Sequence, residues 1–397
     1  METNSRETLK ADFDAFDISE ELGFLLEEPL TSLPDYYRVW LDLANNLTHL
    51  IESHTLRDLV HKMPVLSPDF LIDHRELRLA HLVLGFISMG YVWQEGQHAP
   101  AQILPKALAL PYWLVSRRLG LPPILTYADS VLANWKLKDP TGNMDLIVSF
   151  PGGESCRGFF MVSLLVEMAA SSGITVMHAI KTSDLSGIQK GLVKVTQSLK
   201  KMKETFKLMH SKFELNLAQW RDNPMLPRGL LYEGVSNEPI LLSGGSAAQS
   251  STIQCFDALL CIQHEDETVD CSDRKCFQKQ EYMPPAHRQL IETLSVCPSL
   301  RDFILSHSSS DLCQAYKSCV SALVDLRNYH LNTVAKYVVV PGNHARAMGC
   351  PLRGVGTALN ETGTGGSSLM VFLKSVRNTT QKALILERPS ASKETEM

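Results

Sequence analysis

The sequence predicts a mainly α-helical protein, on three observations. Apolar residues recur every three or four positions through successive segments, strict alternation persists nowhere, and proline or glycine clusters separate the periodic stretches. The first dozen residues are polar and predict a frayed terminus. Residues 33–63 read as helices: Leu33-Pro34-Asp35-Tyr36-Tyr37 starts one, with Trp40, Leu43 and Leu47 on its inner face. Asp73 to Trp93 is a clear amphipathic helix. Pro100, Pro105, Pro111, Pro122 and Pro123 predict a loop-rich connection holding one short helix, and Tyr127 to Trp135 is helical again. Pro151-Gly152-Gly153 is the strongest break. It divides the chain into a small N-terminal domain with its connecting segment, 1–150, and a larger domain, 151–397.

In the larger domain, Arg157 to Ala170 is strongly apolar and predicts a central buried helix. Asp184 to Ser211 is a lysine-rich amphipathic helix with a solvated face. Asn223 to Ser250, rich in proline and glycine, reads as an extended excursion. Helical periodicity resumes over Cys255 to Ile262, Pro284 to Leu294 and Asp311 to Val340, where Pro341 ends it. Gly342 to Ser367 is a glycine-rich loop long enough for a functional lid, and Leu369 to Leu386 is the final helix. There is no internal repeat.

Bulk properties bound the function. With 397 residues, 44% of them hydrophobic and 20% charged, the chain has ample material for a core. A net charge of -5 leaves no electrostatic footprint for nucleic acid or an anionic membrane. The longest apolar runs, such as Leu79 to Tyr91, are too short to span a bilayer. The opening residues, Met1-Glu2-Thr3-Asn4-Ser5-Arg6-Glu7, lack the apolar region of a secretory signal. Nine cysteines without a framework then predict free thiols in a reducing cytoplasm, and the sequons at Asn46, Asn360 and Asn378 are expected to be unused.

One residue stands out chemically. Leu323, Leu326, His330 and Val334 fall on one helix face. An imidazole among Leu and Val is costly unless something there needs it. It is either a core histidine bonded to a carbonyl or the neutral axial ligand of a haem iron. Other signals are weaker. His264, Cys271 and Cys276 fit no standard zinc spacing. Cys297-Pro298 and Cys350-Pro351 resemble haem-sensing dipeptides that arise easily by chance. Leu110-Pro111-Tyr112-Trp113-Leu114-Val115 and Leu230-Leu231-Tyr232-Glu233-Gly234-Val235 fit a tyrosine inhibitory motif for SH2-type partners, which requires Tyr112 or Tyr232 to be exposed.

The stretch Leu326-Arg327-Asn328-Tyr329-His330, followed by Thr333 and Lys336-Tyr337, resembles the proximal helix of the indoleamine 2,3-dioxygenase family. Four further segments resemble that family in the same order. They are Leu121-Pro122-Pro123-Ile124-Leu125 running to Leu132-Ala133-Asn134-Trp135; Gly158-Phe159-Phe160-Met161-Val162-Ser163-Leu164-Leu165-Val166-Glu167; Ser243-Gly244-Gly245-Ser246-Ala247-Ala248-Gln249-Ser250; and Gly363-Thr364-Gly365-Gly366. The resemblance covers nearly the whole chain. Val92-Trp93-Gln94-Glu95-Gly96 and Phe150-Pro151-Gly152-Gly153-Glu154-Ser155 look closer to the second vertebrate paralogue than to the first.

The resemblance implies a two-domain, all-helical fold with haem b in the larger domain. It implies His330 as the proximal iron ligand, an ion pair between Asp257 and Arg327 nearby, and Ser246 beside a haem propionate. Tyr127, Ser130, Phe159, Ser163, Gly245, Ala247 and Thr364 would line the substrate pocket, with Phe159 and Ser163 nearest the chemistry. The absence of Cys-x-x-Cys-His excludes that covalent form of haem attachment. The implied reaction uses L-tryptophan and O2, needs an electron donor to keep iron ferrous, and yields N-formylkynurenine, the first step of the kynurenine pathway. The chain departs from the family between Met209 and Trp220. About ten family residues are missing there, roughly three helical turns, and Glu214 occupies the place of the arginine that binds the substrate carboxylate. Glutamate repels a carboxylate, and Arg221 or Lys212 are the available substitutes. A rival expectation follows: a haem-binding family member with little dioxygenase activity, acting through partners.

Overall fold

In the computed structural model the described residues are 16–96, 99–140, 142–177, 180, 185–211, 229–264, 280–307, 309–339 and 369–384. Most of them are helical, as the periodicity predicts. Sheet is confined, among the described residues, to two ladders of two-residue strands, Ile103–Leu104 with Leu231–Tyr232 in parallel and Lys136–Leu137 with Met144–Asp145 antiparallel.

Three short helices open the chain, α1 (Arg38–Asn45), α2 (Leu47–Glu52) and α3 (Leu56–Lys62). They wrap α4 (His74–Trp93). Asp73 caps α4 by accepting from the Arg75 amide, while Glu76 accepts from the Asp73 amide, a reciprocal capping box. The expected amphipathic helix is instead buried nearly all round, because α1–α3 and the segments that follow cover every face. Two of its buried polar residues, Arg78 and His81, find partners in the segment that follows Leu125.

The connection after α4 also differs from expectation. It is largely a 14-residue helix, α5 (Lys106–Leu119), with Pro111 inside it. Proline costs about 3 kcal/mol in a helix interior. Burial of Leu108, Ala109, Tyr112 and Val115 along α5 offsets that cost. Gly120, at φ +66°, ends the helix in the left-handed conformation that suits glycine.

Ala128–Ala133 forms a single π-helical turn where an ordinary helix was expected. A buried polar network holds it. His81 Nδ1 lies 2.8 Å from Asp129 Oδ1, and Asp129 Oδ2 accepts from the Thr126 amide and hydroxyl. Arg78 donates to the Ala128 carbonyl at 3.0 Å. Burial pushes the Asp129 carboxyl up, but His81 and Arg78 beside it more than offset that and hold it below the usual range. Ser116 Oγ, 3.1 Å from His81 Nε2, completes an array with the order of a hydrolase triad. Ser116, His81 and Asp129 are all sealed from solvent, so it is a structural network.

The Pro151-Gly152-Gly153 break falls at the start of α6 (Gly153–Ala169), where both glycines take positive φ, +121° and +53°. The apolar core continues on both sides of this break. After α7 (Ser171–Ile174), α8 (Leu185–Phe206) and α9 (Leu208–Ser211) come α10 (Ser251–Leu259), α11 (Pro285–Ser295), α12 (Leu300–His307), α13 (Ser310–Val334) and α14 (Leu369–Lys382). The stretch Gly153–Ile174 is long and apolar enough to cross a membrane by composition, yet it packs against α8 and the π-helical turn. The long pair α8 and α13 forms the spine of this region, α14 lies along α13, and α10 packs on α11.

Tyr112 and Tyr232 are both buried, and the Tyr232 hydroxyl donates to the Pro123 carbonyl at 2.6 Å. The signalling expectation needed one of them exposed. Both are packing tyrosines, sealed by the core that α5 and the Leu231–Tyr232 strand help to build.

His287 on α11 joins the large region to the N-terminal one. It is buried, packs against the Phe24 ring at 4.6 Å between centroids with the planes tilted by 55°, and shares a hydrogen bond with Ser251. Burial, helped by the Arg78 charge, pushes its pKa down to about 3. The unfolded chain binds this proton below pH 6.5 and the folded chain does not until about pH 3. Stability from His287 is thus fully present above 6.5 and is lost as pH falls through that window, by about 1.4 kcal/mol per pH unit. Thermal melts from pH 7.5 to 5.0 are expected to show this slope, and His287→Gln to flatten it.

Candidate functional site

His330 sits near the end of α13. Leu323 and Leu326, on the same face, are buried, while His330 and Val334 are half-buried, so the imidazole lies where the apolar stripe opens. Desolvation, with the Arg327 charge second, pushes its pKa down to about 4. The ring is neutral at physiological pH, with a lone pair to give. Phe206 flanks it at 5.9 Å between ring centroids, and no hydrogen bond to the ring is formed among the described residues.

Arg327 precedes His330 by nearly one turn. Its Nη2 donates to Asp257 Oδ2 at 2.6 Å, and its Nη1 donates to the Thr380 hydroxyl. His264 Nε2 lies 3.0 Å from the same Asp257 oxygen. The expected Asp257–Arg327 pair is therefore present, and it is joined by Thr380 and by His264, which the sequence offered only as a weak zinc candidate. Burial pushes the Asp257 carboxyl up, but Arg327 and His264 outweigh it and hold the group below the usual carboxylate range. Arg377 adds a second tie between α14 and α13, donating to Asn328 at 2.9 Å. His210, beside the shortened segment, stacks on Tyr337 and shares a 2.6 Å hydrogen bond with its hydroxyl.

On α6, Phe159, Ser163 and Glu167 are four residues apart and share one face. Phe159 and Ser163 are half-buried. Ser163 donates to the Phe159 carbonyl at 2.9 Å, so its oxygen lone pairs remain for a ligand. Tyr127 is half-buried and donates to Glu167 at 2.9 Å. Ser130 is buried and donates to the Thr126 carbonyl at 3.0 Å.

The loop Ser243–Ser250 runs beside Tyr127. A Cβ added at Gly245 would sit 3.4 Å from the Thr126 backbone, which records how closely the two backbones pass. Ser246 is half-buried and caps the turn Ala247–Gln249, and Gly245 and Ala247 are exposed. Gln249 clamps the loop, accepting from the Tyr127 amide at 3.0 Å and donating to the Gly244 carbonyl at 3.0 Å. Thr364, Gly363-Gly366, Lys212, Glu214, Trp220, Arg221, Cys271, Cys276 and Cys350 lie outside the described residues.

No group of three or more His, Cys, Asp or Glu able to hold a bare metal ion occurs among the described residues. A bare ion needs three or four protein ligands. A haem iron needs as few as one. A solitary neutral imidazole at an opening in an apolar face fits the second requirement. Glu167 and Gln249 had no role assigned from the sequence, and His264 stood there only as a weak zinc candidate, not as a partner of Asp257. For Glu167 a signal was available, since it continues the four-residue spacing of Phe159 and Ser163.

The Asp257–Arg327 pair is buried, so removing one partner leaves an uncompensated charge. Asp257→Ala is expected to destabilise the protein by about 3–5 kcal/mol. Urea unfolding of the apoprotein checks this, and a loss under about 1 kcal/mol would show that the pair contributes little.

The profile of the indoleamine 2,3-dioxygenase family matches residues 12–383. The chain is 45% identical to indoleamine 2,3-dioxygenase 2 of Homo sapiens, over 97% of this chain and 98% of that one. It is also 45% identical to indoleamine 2,3-dioxygenase 1 of Rattus norvegicus, over 94% of this chain and 95% of that one. Identity therefore does not separate the two paralogues. A myoglobin of Haliotis madaka is 36% identical, over 92% of this chain and 97% of that one. With a profile covering nearly its whole length and full-length relatives at this identity, the chain belongs to the indoleamine 2,3-dioxygenase family.

Proposed function

We propose that the protein is a haem-dependent dioxygenase that opens the indole ring of L-tryptophan across C2–C3, giving N-formylkynurenine at the head of the kynurenine pathway. The observation that carries the reading is His330: a neutral imidazole, without a hydrogen-bond partner among the described residues, at the opening of an apolar helix face. In this reading His330 holds the iron, Ser246 and the Asp257–Arg327 pair support the macrocycle's surroundings, and the larger domain carries the site. When bound, the haem supplies oxygen binding and the redox chemistry, with an external electron donor keeping it ferrous.

The remaining work falls to the chain's own side chains. Phe159 and Tyr127 offer flat apolar walls to an indole. The Ser163 hydroxyl donates its hydrogen bond to the Phe159 carbonyl, so its oxygen serves as an acceptor, suited to the indole N–H. Gly245, Ala247 and Thr364 complete the substrate side. The described cysteines are free thiols, which supports a reducing, cytoplasmic setting.

A second reading, a haem protein with little dioxygenase activity, has its own support. Glu214 stands where the family has its carboxylate-binding arginine. The alignment to the human relative runs over 405 positions although this chain has 397 residues, so this chain is gapped against it. A relative covering almost the same span carries the name myoglobin. Loss of a charge-assisted pair weakens binding by roughly one to two orders of magnitude.

Kynurenine formation from L-tryptophan by the haem-reconstituted, reduced protein separates the readings, with Soret intensity fixing haem occupancy. The dioxygenase reading expects turnover, with KM raised by roughly tenfold or more relative to a family member that keeps the arginine. Full haem occupancy without product would overturn it in favour of the second.

A further inference from the structure

Glu167 is the most heavily engaged polar side chain beside the proposed substrate slot, and the reading above gives it no part. It is 2% exposed, at the C-terminal end of α6. Its Oε1 accepts from the Tyr127 hydroxyl at 2.9 Å and from the Ser250 hydroxyl at 2.6 Å, and its Oε2 accepts from the Thr252 hydroxyl at 2.5 Å. The donors lie in different parts of the chain. Tyr127 leads into the π-helical turn, Ser250 caps α10, and Thr252 stands in the first turn of that helix. The Ser250 oxygen also accepts from the Ile253 amide, so the same hydroxyl ties cap and carboxylate together.

A carboxylate only accepts, and here three hydroxyls donate to it. Removing its charge would leave these hydroxyls in a dry site without a strong acceptor. The next residue of the loop reinforces the link, since Gln249 binds the Tyr127 amide and the Gly244 carbonyl. Tyr127 is therefore fixed to the loop Gly244–Ser250 through its backbone by Gln249 and through its side chain by Glu167. Tyr127, Phe159 and Ser163 are the residues proposed to line the slot, and Glu167 shares a helix face with Phe159 and Ser163.

We propose that Glu167 is a positioning residue that latches Tyr127 to the Gly244–Ser250 loop, and so sets the width of the aromatic slot and the affinity for a flat aromatic substrate. The proposal rests on the reading of this site as an indole pocket. Glu167 touches no reacting atom and acts through the Tyr127 ring.

The test uses the full-length, haem-loaded protein and the variants Glu167→Gln, Tyr127→Phe and the double variant. Glu167→Gln keeps the shape and replaces one acceptor oxygen by a donor; Tyr127→Phe removes only the hydroxyl. L-tryptophan affinity is read from the Soret perturbation, and backbone hydrogen exchange over residues 244–250 is read without substrate. Each single variant is expected to weaken L-tryptophan binding roughly three- to tenfold at unchanged haem content. Exchange over 244–250 is expected to accelerate in both. The double variant is expected to be no weaker than the worse single one, because both break one linkage. Multiplying losses, or unchanged loop exchange in Glu167→Gln, would overturn the proposal. If Glu167→Gln does not fold, Tyr127→Phe decides alone: unchanged affinity and exchange refute the latch. Haem-loaded wild type that binds no L-tryptophan would defeat the indole-pocket reading instead, and loop exchange, which needs no substrate, would still decide the latch.

Discussion

A single carboxylate oxygen organises the side of the molecule on which His330 stands. Asp257 Oδ2 takes a 2.6 Å hydrogen bond from Arg327 and lies 3.0 Å from His264. Arg327 reaches on to Thr380, so α10, α13 and α14 converge on one buried charge pair. Burial makes each charge costly alone, and each tolerates burial because the other is present. The consequence is geometric. Arg327 and His330 are three residues apart on one helix, so fixing the guanidinium fixes the rotation of α13 about its axis and the direction of the imidazole. The same guanidinium lies close enough to favour neutral His330, the form that ligates iron.

The other wall depends on a second buried network, separate in sequence but similar in logic. His81 and Arg78 on α4 hold Asp129 and the Ala128 carbonyl, which sets the π-helical turn and thereby the start of that turn at Tyr127. Single π turns inside helices often mark functional sites, because they displace a side chain from the regular helical track. Tyr127 is then gripped from the far side by Gln249 and Glu167. In the proposed function these three parts, α6, the π-helical turn and the Ser243–Ser250 loop, would form the aromatic slot.

Much of this was legible in the sequence. Helical spacing marked α4, α6, α8 and α13 to within a few residues, and the four-residue step from Phe159 to Ser163 placed both on one face. The glycines at the Pro151–Gly153 break do adopt positive φ there. What failed did so for physical reasons. Pro111 suggested a loop, but burial of its neighbours carries α5 through it. The polar residues of α4 suggested an exposed face, yet Arg78 and His81 face partners far away in sequence. Tyr112 and Tyr232 matched a short motif whose chemistry needs access, and packing removes that access. Glu167 sat in plain view within a quoted segment, but its partners Ser250 and Thr252 lie more than eighty residues away. Pairing at that range is a property of the fold and leaves no local signature.

In the proposed function α13, locked by Asp257 and Arg327, would present His330 as the ligand of a haem iron. The most direct measurement is the iron–histidine stretching vibration in the reduced, haem-loaded protein by resonance Raman spectroscopy, compared with His330→Ala. A band in wild type that vanishes in His330→Ala, together with loss of the wild-type Soret spectrum, is expected. A wild-type spectrum that survives unchanged in His330→Ala would contradict it, and another residue would then have to carry the iron.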